Sequence, residues 1–115
     1  MSSDNPRRGD IWLASLDPIR GHEQAGTRPI LIISHDDFNG GPADLCIVIP
    51  ITSRLHPIPS HIRIVPPEGG LQVESAALCE AVRSISKERL IRRLGKITAP
   101  TLATIEDVLR ILLVL

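Results

Sequence analysis

The chain has 115 residues, of which 13 are basic and 13 acidic, and its formal net charge is zero. This length corresponds to one domain, and the balanced charge argues against a general DNA-binding protein, so any contact with a polyanion must come from a local patch. Ile, Leu and Val supply 36 residues, whereas there is one Trp, one Phe and no Tyr. The core is therefore aliphatic, and the Ile and Val content favours a sheet-based fold.

Cysteines, histidines and hydropathy argue against a disulfide-rich protein, a zinc protein and a secreted or membrane protein. Cys46 and Cys79 lie inside apolar runs, so we expect buried thiols and no disulfide framework. The four histidines are scattered, without the ligand spacing of a zinc site, so no metal and no other cofactor is expected. Residues 1–8 are polar and contain no apolar signal segment, and no apolar stretch reaches membrane-spanning length. We therefore expect a cytoplasmic protein.

Glycine and proline divide the first two thirds of the chain into short strands. Segments 11–16, 29–34 and 45–53 are apolar on both faces and are predicted as buried strands. Pro50 interrupts the third and suggests an edge or a bulge there, because proline has no ladder donor. The alternation over 61–65 predicts a half-exposed strand, and 75–85 is predicted as a further strand. Polar loops are expected over 19–27, 35–44 and 66–70.

Two helices are predicted after these strands. Ser86 is a cap for a short helix that runs to residue 94, with Gly95 as its stop. Pro100 suits the first turn of a last helix whose apolar stripe is Leu102, Ile105, Val108, Leu109 and Leu112. Further apolar residues widen that surface, namely Ile111, Leu113, Val114 and Leu115. This favours either a dimer contact or additional core. The predicted fold is a bent antiparallel sheet or small barrel, with helices packed at one end.

One stretch of the second half is basic. Only one acidic residue, Glu88, interrupts it, and its cations are Arg83, Lys87, Arg89, Arg92, Arg93 and Lys96. This stretch is either a patch that binds a polyanion or the solvated face of a helix.

The loop between the first two strands carries the first set of candidate functional residues. It places His22, Glu23, Gln24 and Arg28 among glycines, and functional residues gather on such loops. Pro29 restricts Arg28 to extended geometry, and a guanidinium held in this way can bind a phosphate through two parallel N–H groups. The alternative is a surface ion pair between Arg28 and Glu23.

The end of the third strand carries the second set. Thr52 and Ser53 place two hydroxyl groups after Pro50, where they either present donors to a ligand or close a turn by bonding nearby backbone. Catalysis by a Ser-His-Asp triad has no support, since no Gly-x-Ser-x-Gly elbow occurs. Cys79 is expected to be protonated and inert, because burial disfavours its thiolate.

Short motifs in a fixed order carry a resemblance to a known family. They are Arg8-Gly9-Asp10-Ile11-Trp12, Leu16-Asp17-Pro18, the loop 21–29, Ile32-Ile33-Ser34, the segment 48–53, Cys79-Glu80, Arg83-Ser84-Ile85 and Gly95-Lys96-Ile97. In this order and spacing, residues 8–115 resemble the MazF/PemK family of toxin endoribonucleases.

The resemblance implies a single domain over residues 8–115 after a flexible tail 1–7. It implies the SH3-like antiparallel barrel of plasmid-maintenance toxins, with a C-terminal helix, and a homodimer. The implied activity is sequence-specific, metal-independent cleavage of single-stranded RNA that leaves a 2′,3′-cyclic phosphate and a 5′-hydroxyl. The implied partners are RNA and a cognate antitoxin protein.

The resemblance also assigns roles to residues. Arg28 and Thr52 match the family's catalytic arginine and threonine, and Glu23 matches its loop glutamate. Because arginine keeps its proton in proteins, Glu23 or His22 is the hypothetical proton acceptor. The residues predicted to bind RNA are His22, Gln24, Thr27, Ser53, Arg83 and Lys87. Ala81 is a departure, because many members carry Gln at this position and use it on the RNA.

Two other functions remain open at this stage. The same fold occurs in toxins that poison DNA gyrase without cutting nucleic acid, and the chain could also be a non-catalytic module that binds RNA or protein. The pairing of Arg28 with Thr52 favours the nuclease.

Overall fold

The computed structural model describes residues 5–16 and 26–115. They form seven strands and two α-helices, joined in part by 3₁₀ turns at Glu68–Gly70, Cys79–Ala81 and Lys87–Arg89. The strands are β1 Asp10–Ser15, β2 Thr27–Ile32, β3 Leu45–Thr52, β4 His61–Ile64, β5 Ser75–Leu78, β6 Arg83–Ser86 and β7 Leu90–Lys96. The helices are the short α1, Asp36–Asn39, and the C-terminal α2, Ala99–Leu113.

The strands form one antiparallel sheet in the order β4-β5-β3-β2-β1-β7, and β6 also pairs with β3. The predicted antiparallel sheet with a C-terminal helix is thus confirmed. Within the described residues the hydrogen-bonded ladder does not close into a complete barrel. β4 and β7 are the ends of the main path, and β6 is paired on one side only. All pairings are antiparallel, so the end of β1 lies beside the start of β2, where Ser15 pairs with Thr27.

Both faces of the central strands are buried, as the apolar runs predict. One face contributes Ile11, Leu31 and Ile49 to a cluster that includes Ile105 of α2. The other face contributes a second cluster, with Trp12, Ala14, Ile30, Ile32, Cys46 and Val48. The alternation of odd and even positions follows from the two-residue period of a strand. The single tryptophan is therefore core.

The C-terminal helix forms as predicted. The Thr98 side chain caps it, Pro100 lies in its first turn, and Ile105 is fully buried. Arg8 ties it to the sheet, since its guanidinium contacts both the Ile33 carbonyl and the Glu106 carboxylate. The last residues are exposed and apolar, namely Ile111, Leu112, Leu113, Val114 and Leu115. No helix in the described part of the chain is long and apolar enough to cross a membrane.

The helix predicted from Ser86 to residue 94 is wrong. Ser86 does act as a cap, and its hydroxyl accepts from the Glu88 N–H over 3.2 Å, but it starts only one 3₁₀ turn. The chain then continues as β7, which pairs with β1. Without β7, β1 would expose its unpaired backbone groups. This tertiary pairing outweighs the helix propensity of the segment, although Lys, Glu, Arg and Leu are all good helix formers.

The predicted strand over 75–85 is also divided. A 3₁₀ turn at Cys79–Ala81 separates β5 from β6, because the two halves pair with different regions of β3. The N-terminal tail has contacts in its described part: Pro6 is buried, and the Asn5 side chain accepts a hydrogen bond from Lys87 over 3.1 Å.

Candidate functional site

Arg28 and Thr52 line one cleft in the structure, although they lie far apart in the sequence. The register between β2 and β3 explains this. Ile30 pairs with Pro50 and Leu31 with Ile49, so continuing the register by two residues places Arg28 opposite Thr52. Residues directly opposite each other in an antiparallel pair share a face of the sheet. The register of two buried strands therefore brings the two side chains together.

The ladder between β2 and β3 ends just before these residues, and Pro29 supplies the reason. Ile33 donates its N–H to the Ile47 carbonyl over 2.9 Å, so every second residue before it, including Pro29, directs its backbone toward β3. Proline has no N–H to donate there. The strand ends are thus free to separate, and a cleft of about 620 Å³ opens beside them.

Pro50 lies in a strand that is paired on both sides, so the expected edge is not found. On the side away from β2, β3 pairs with β6 up to Val48 and with β5 from Ile51. Pro50 occupies the junction between these two partners, where a missing ladder donor costs little. β3 therefore continues past Pro50 to Thr52, which lines the cleft.

The cleft is lined by cations and neutral side chains. Three arginines contribute to its wall, Arg28, Arg54 and Arg92, together with hydroxyl and amide groups from Thr52, Ser53 and Gln72. Of the residues that the structure describes, none that lines the cleft is acidic. Such a site favours an anionic ligand, since the arginines repel cations and a guanidinium fork matches a phosphate.

The Thr52 hydroxyl is oriented by its own strand end. Its oxygen accepts a hydrogen bond from the backbone N–H of Arg54 over 3.0 Å. A hydroxyl has one proton to donate and two lone pairs, so this contact uses a lone pair and leaves the proton for a ligand. The turn closure that the sequence suggested as an alternative is therefore present, and it is compatible with ligand binding.

Gly70 fixes the opposite wall of the cleft. Its φ is +73°, and a β-carbon built on it would lie 2.0 Å from the Leu94 carbonyl oxygen. No other residue type fits this close approach between the turn at Glu68–Gly70 and β7. The contact positions Leu71, Gln72 and Val73, which line the cleft after the turn.

Four of the predicted site residues share this cleft: Thr27, Arg28, Thr52 and Ser53. Arg83 and Lys87 lie elsewhere. Arg83 is exposed on β6 opposite Val48, whereas the Lys87 ammonium donates to the Asn39 carbonyl over 2.6 Å.

The remaining three predicted residues, His22, Glu23 and Gln24, lie outside the residues that the structure describes.

The sequence did not single out Arg54 or Gln72. Both reach the cleft only because β3 and the turn at Glu68–Gly70 converge there, and no local motif marks that convergence. Arg92 belonged to the basic stretch, but the predicted helical face is wrong. On β7 the consecutive residues Arg92 and Arg93 pair with Leu13 and Trp12, which belong to opposite faces of the sheet.

The chemistry available in this cleft is that of its own side chains. Residues 5–16 and 26–115 contain no group of three His, Cys, Asp or Glu side chains placed to hold a metal ion. Burial raises the pKa of the Cys79 thiol to about 11, with a further contribution from the Glu80 charge. The prediction of a buried, protonated Cys79 is thus confirmed, and neither cysteine lines the cleft.

Comparisons with known proteins agree with the geometry. The model of a family described as PemK-like, MazF-like toxins of type II toxin–antitoxin systems matches residues 7–113. Endoribonuclease MazF9 of Mycobacterium tuberculosis (strain ATCC 25618 / H37Rv) is 37% identical over 110 residues, which is 91% of this chain and 93% of that protein.

Two solved structures from Deinococcus radiodurans have a similar fold. One is MazF in crystal form I, at 30% identity and a TM-score of 0.81, covering 96% of this chain and 97% of that chain. The other is a MazE–MazF structure in form II, at 29% identity and a TM-score of 0.82, with the same coverage of both chains.

Proposed function

We propose that the chain is the toxin of its system and acts as an endoribonuclease. The premise is that it belongs to the family of PemK-like, MazF-like toxins of type II toxin–antitoxin systems. The homologue MazF9 is named an endoribonuclease and matches over nearly the whole length of both chains. The observation that carries the proposal is the shared cleft of Arg28 and Thr52. The substrate is single-stranded RNA, which is cut at specific sequences.

The proposed reaction needs no metal and no covalent intermediate. The ribose 2′-hydroxyl loses its proton and attacks the neighbouring phosphorus. The bond to the 5′-oxygen breaks, and that oxygen takes up a proton from solvent, so the products are a 2′,3′-cyclic phosphate and a 5′-hydroxyl. Arg28 stabilises the charge that develops on the phosphorane, a contribution of about 2.7–4 kcal/mol for one well-placed donor. Thr52 donates its hydroxyl proton to a non-bridging oxygen and sets the position of the phosphate.

The proton of the 2′-hydroxyl needs an acceptor other than Arg28, because a guanidinium stays protonated in proteins. We propose Glu23 or His22, which belong to the same loop as Arg28 in the sequence. Exchange of Glu23 for Gln, with single-turnover cleavage as the readout, separates the two: a full rate in this variant would leave the role to His22.

The remaining predicted residues bind RNA around the reacting phosphate. Thr27 and Ser53 line the cleft and present hydroxyl groups, and His22 and Gln24 are proposed to approach it from the loop. Arg83 and Lys87 lie outside the cleft, so any contact they make is with nucleotides farther from the cut.

The proposed partners are a cognate antitoxin and a second copy of the chain. The family is defined by its toxin–antitoxin systems, and the MazE–MazF structure of 29% identity supports a similar assembly. The exposed apolar end of α2, with Val114 88% and Leu115 84% exposed, suits a protein contact. The toxin domain is proposed to span residues 8–115, and a toxin that acts on messenger RNA works in the cytoplasm.

Incubation of the purified protein with a long RNA in excess EDTA tests the proposal. Discrete fragments with cyclic-phosphate and 5′-hydroxyl ends are expected, and mapping them gives the cut site. Intact RNA together with inhibited gyrase supercoiling would instead identify a gyrase poison. RNA that is bound but stays intact would identify a non-catalytic module.

A further inference from the structure

A second cleft, of about 640 Å³, lies beside the edge strand β7. It is as large as the first and more strongly basic, since its lining includes five cations: Arg7, Lys87, Arg92, Arg93 and Lys96. The only acidic side chain among the described residues that line it is Asp10. Nothing in the proposed reaction uses this cleft.

The carboxylate of Asp10 does not neutralise the cleft, because it is already engaged and is only 2% exposed. One oxygen accepts the Arg7 backbone N–H over 2.9 Å and the Trp12 indole N–H over 3.3 Å. The other lies 3.0 Å from Arg93 Nε, as a charge contact without an aligned hydrogen bond. Asp10 is thus buried at the wall of the cleft and paired with Arg93, whose side chain is 50% exposed.

Three of the five cations remain open to a ligand. Lys87 is 17% exposed and holds the Asn39 carbonyl, but the Arg7 side chain is 70% exposed, and its contact with Asp36 is a loose ion pair of 3.6 Å. Arg92 and Lys96 are exposed on β7. Exposed cations without tight partners are the kind that bind a polyanion by releasing its counterions.

Arg92 connects the two clefts. It lines the cleft that contains Arg28 and also the second cleft. Irregular pairing between β7 and β1 allows this. Leu13 pairs with Arg92 and Ala14 with Leu90, so β7 contains one extra, unpaired residue between them, Ile91. That bulge lies next to Arg92 at the edge of the sheet, and the Ile91 side chain is 50% exposed there. The basic surface is therefore continuous over the edge.

We propose that RNA leaving the Arg28–Thr52 cleft crosses the edge strand at Arg92 and continues into the second cleft, where Arg7 and Lys96 bind its phosphates. The proposal rests on the proposed function, because it extends the path of the same substrate. RNA fits better than an acidic protein segment, because one residue belongs to both clefts and a single polyanionic strand can follow them. Phosphate contacts of this kind add affinity without reading sequence.

The double variant Arg7→Gln/Lys96→Gln tests this path. Its matched control is Arg63→Gln/Arg110→Gln, which removes the same charge from two exposed arginines outside both clefts. Two RNAs share one mapped cut site and carry 2′-deoxyribose there, so that the attacking hydroxyl is missing and neither is cut. The short one ends close to the site. The long one is extended by about eight nucleotides on each side, so that it exceeds a single-strand site of about 4–16 nucleotides. Fluorescence anisotropy gives the affinity for each RNA at several salt concentrations.

The test variant is expected to weaken binding of the long RNA far more than binding of the short one. The slope of log affinity against log salt for the long RNA should fall by about 1.4, since each of two lost single-strand phosphate contacts contributes about 0.7. An equal loss for both RNAs, or a loss no larger than in the control, would overturn the proposal. Unchanged RNA affinity with weakened binding of a polyglutamate peptide would also overturn it, in favour of an acidic protein partner.

The second cleft can be tested even if the proposed nuclease function is wrong. If the parent protein cuts no RNA, the same anisotropy series is run with oligouridine of two lengths. A length-dependent loss of affinity in the test variant then supports the second cleft even without catalysis, whereas equal affinities of the test and control variants would overturn it.

Discussion

The backbone N–H of Arg54 donates a hydrogen bond to the hydroxyl oxygen of Thr52 over 3.0 Å. The threonine at the end of β3 is therefore oriented before any ligand arrives, and its hydroxyl proton remains available to a ligand. A preorganised donor needs no rearrangement when charge develops on the substrate. This relationship leads to the first prediction.

Exchange of Thr52 for Val removes the hydroxyl and keeps the shape of the side chain. We expect the single-turnover cleavage rate to fall by about 10²–10³-fold, the usual cost of one lost transition-state donor. Exchange for Ser keeps the hydroxyl and should retain most of the rate. The melting temperatures of the two variants serve as the control for folding; a fully active Val variant would remove Thr52 from the reaction.

Gly70 is predicted to be essential for the wall of the cleft. Exchange for Ala forces a side chain into the φ of +73° and toward the Leu94 carbonyl oxygen, so the free energy of unfolding should fall by about 2–4 kcal/mol. Gly40 is the matched control: its φ is −94°, and the nearest atom to an added β-carbon is the side-chain nitrogen of Asn5, at 3.3 Å. Urea denaturation of both variants measures the difference, and equal stabilities would contradict this role.

The two cysteines are predicted to resist alkylation in the folded protein. Burial raises the pKa of both the Cys46 and Cys79 thiols to about 11, so the reactive thiolate is scarce at pH 8. Iodoacetamide at this pH should leave both unmodified in the native state and modify both in guanidinium chloride, as mass spectrometry reports. Rapid modification of the native protein would show that these thiols are accessible.

Glu80 is predicted to titrate below an ordinary glutamate. The Ser60 hydroxyl donates to its carboxylate over 2.6 Å and is the main reason that its pKa is lowered, with His61 contributing at 2.7 Å. A depressed folded-state pKa stabilises the protein above the unfolded value of 4.5, and that contribution is lost as the pH falls through the folded value. Carboxyl chemical shifts followed by NMR should show a higher pKa in Ser60→Ala, and an unchanged pKa would assign the shift to another group.

Much of the fold could be predicted because strand and helix periods are local. The two-sided apolar runs predicted β1, β2 and β3, and Pro100 in the first turn with the stripe around Ile105 predicted α2. The segment after Ser86 could not be predicted in this way. Whether it forms a helix or a strand depends on the open edge of β1, and that partner is about eighty residues away in the chain.

The candidate site, too, contains residues that local patterns predict and residues that only the tertiary structure brings in. Arg28 and Thr52 were found through loop and strand-end motifs, and the strand register explains their shared cleft. Arg54 and Gln72 enter that cleft through the convergence of separate turns, which leaves no pattern in the sequence. The basic stretch was visible, but a strand distributes its residues over two faces, so it became two clefts joined at Arg92 instead of one patch.

A double-mutant cycle shows whether the guanidinium of Arg28 and the hydroxyl of Thr52 act together on one scissile phosphate. Single-turnover cleavage in EDTA is measured for the parent protein, Arg28→Lys, Thr52→Val and the double variant. Lysine keeps the charge of Arg28 but loses the two-pronged fork. Groups that act together on one transition state are strongly non-additive. We therefore predict that the double variant is hardly slower than the slower single variant, whereas losses that simply multiply, or a parental rate in Arg28→Lys/Thr52→Val, would contradict the claim.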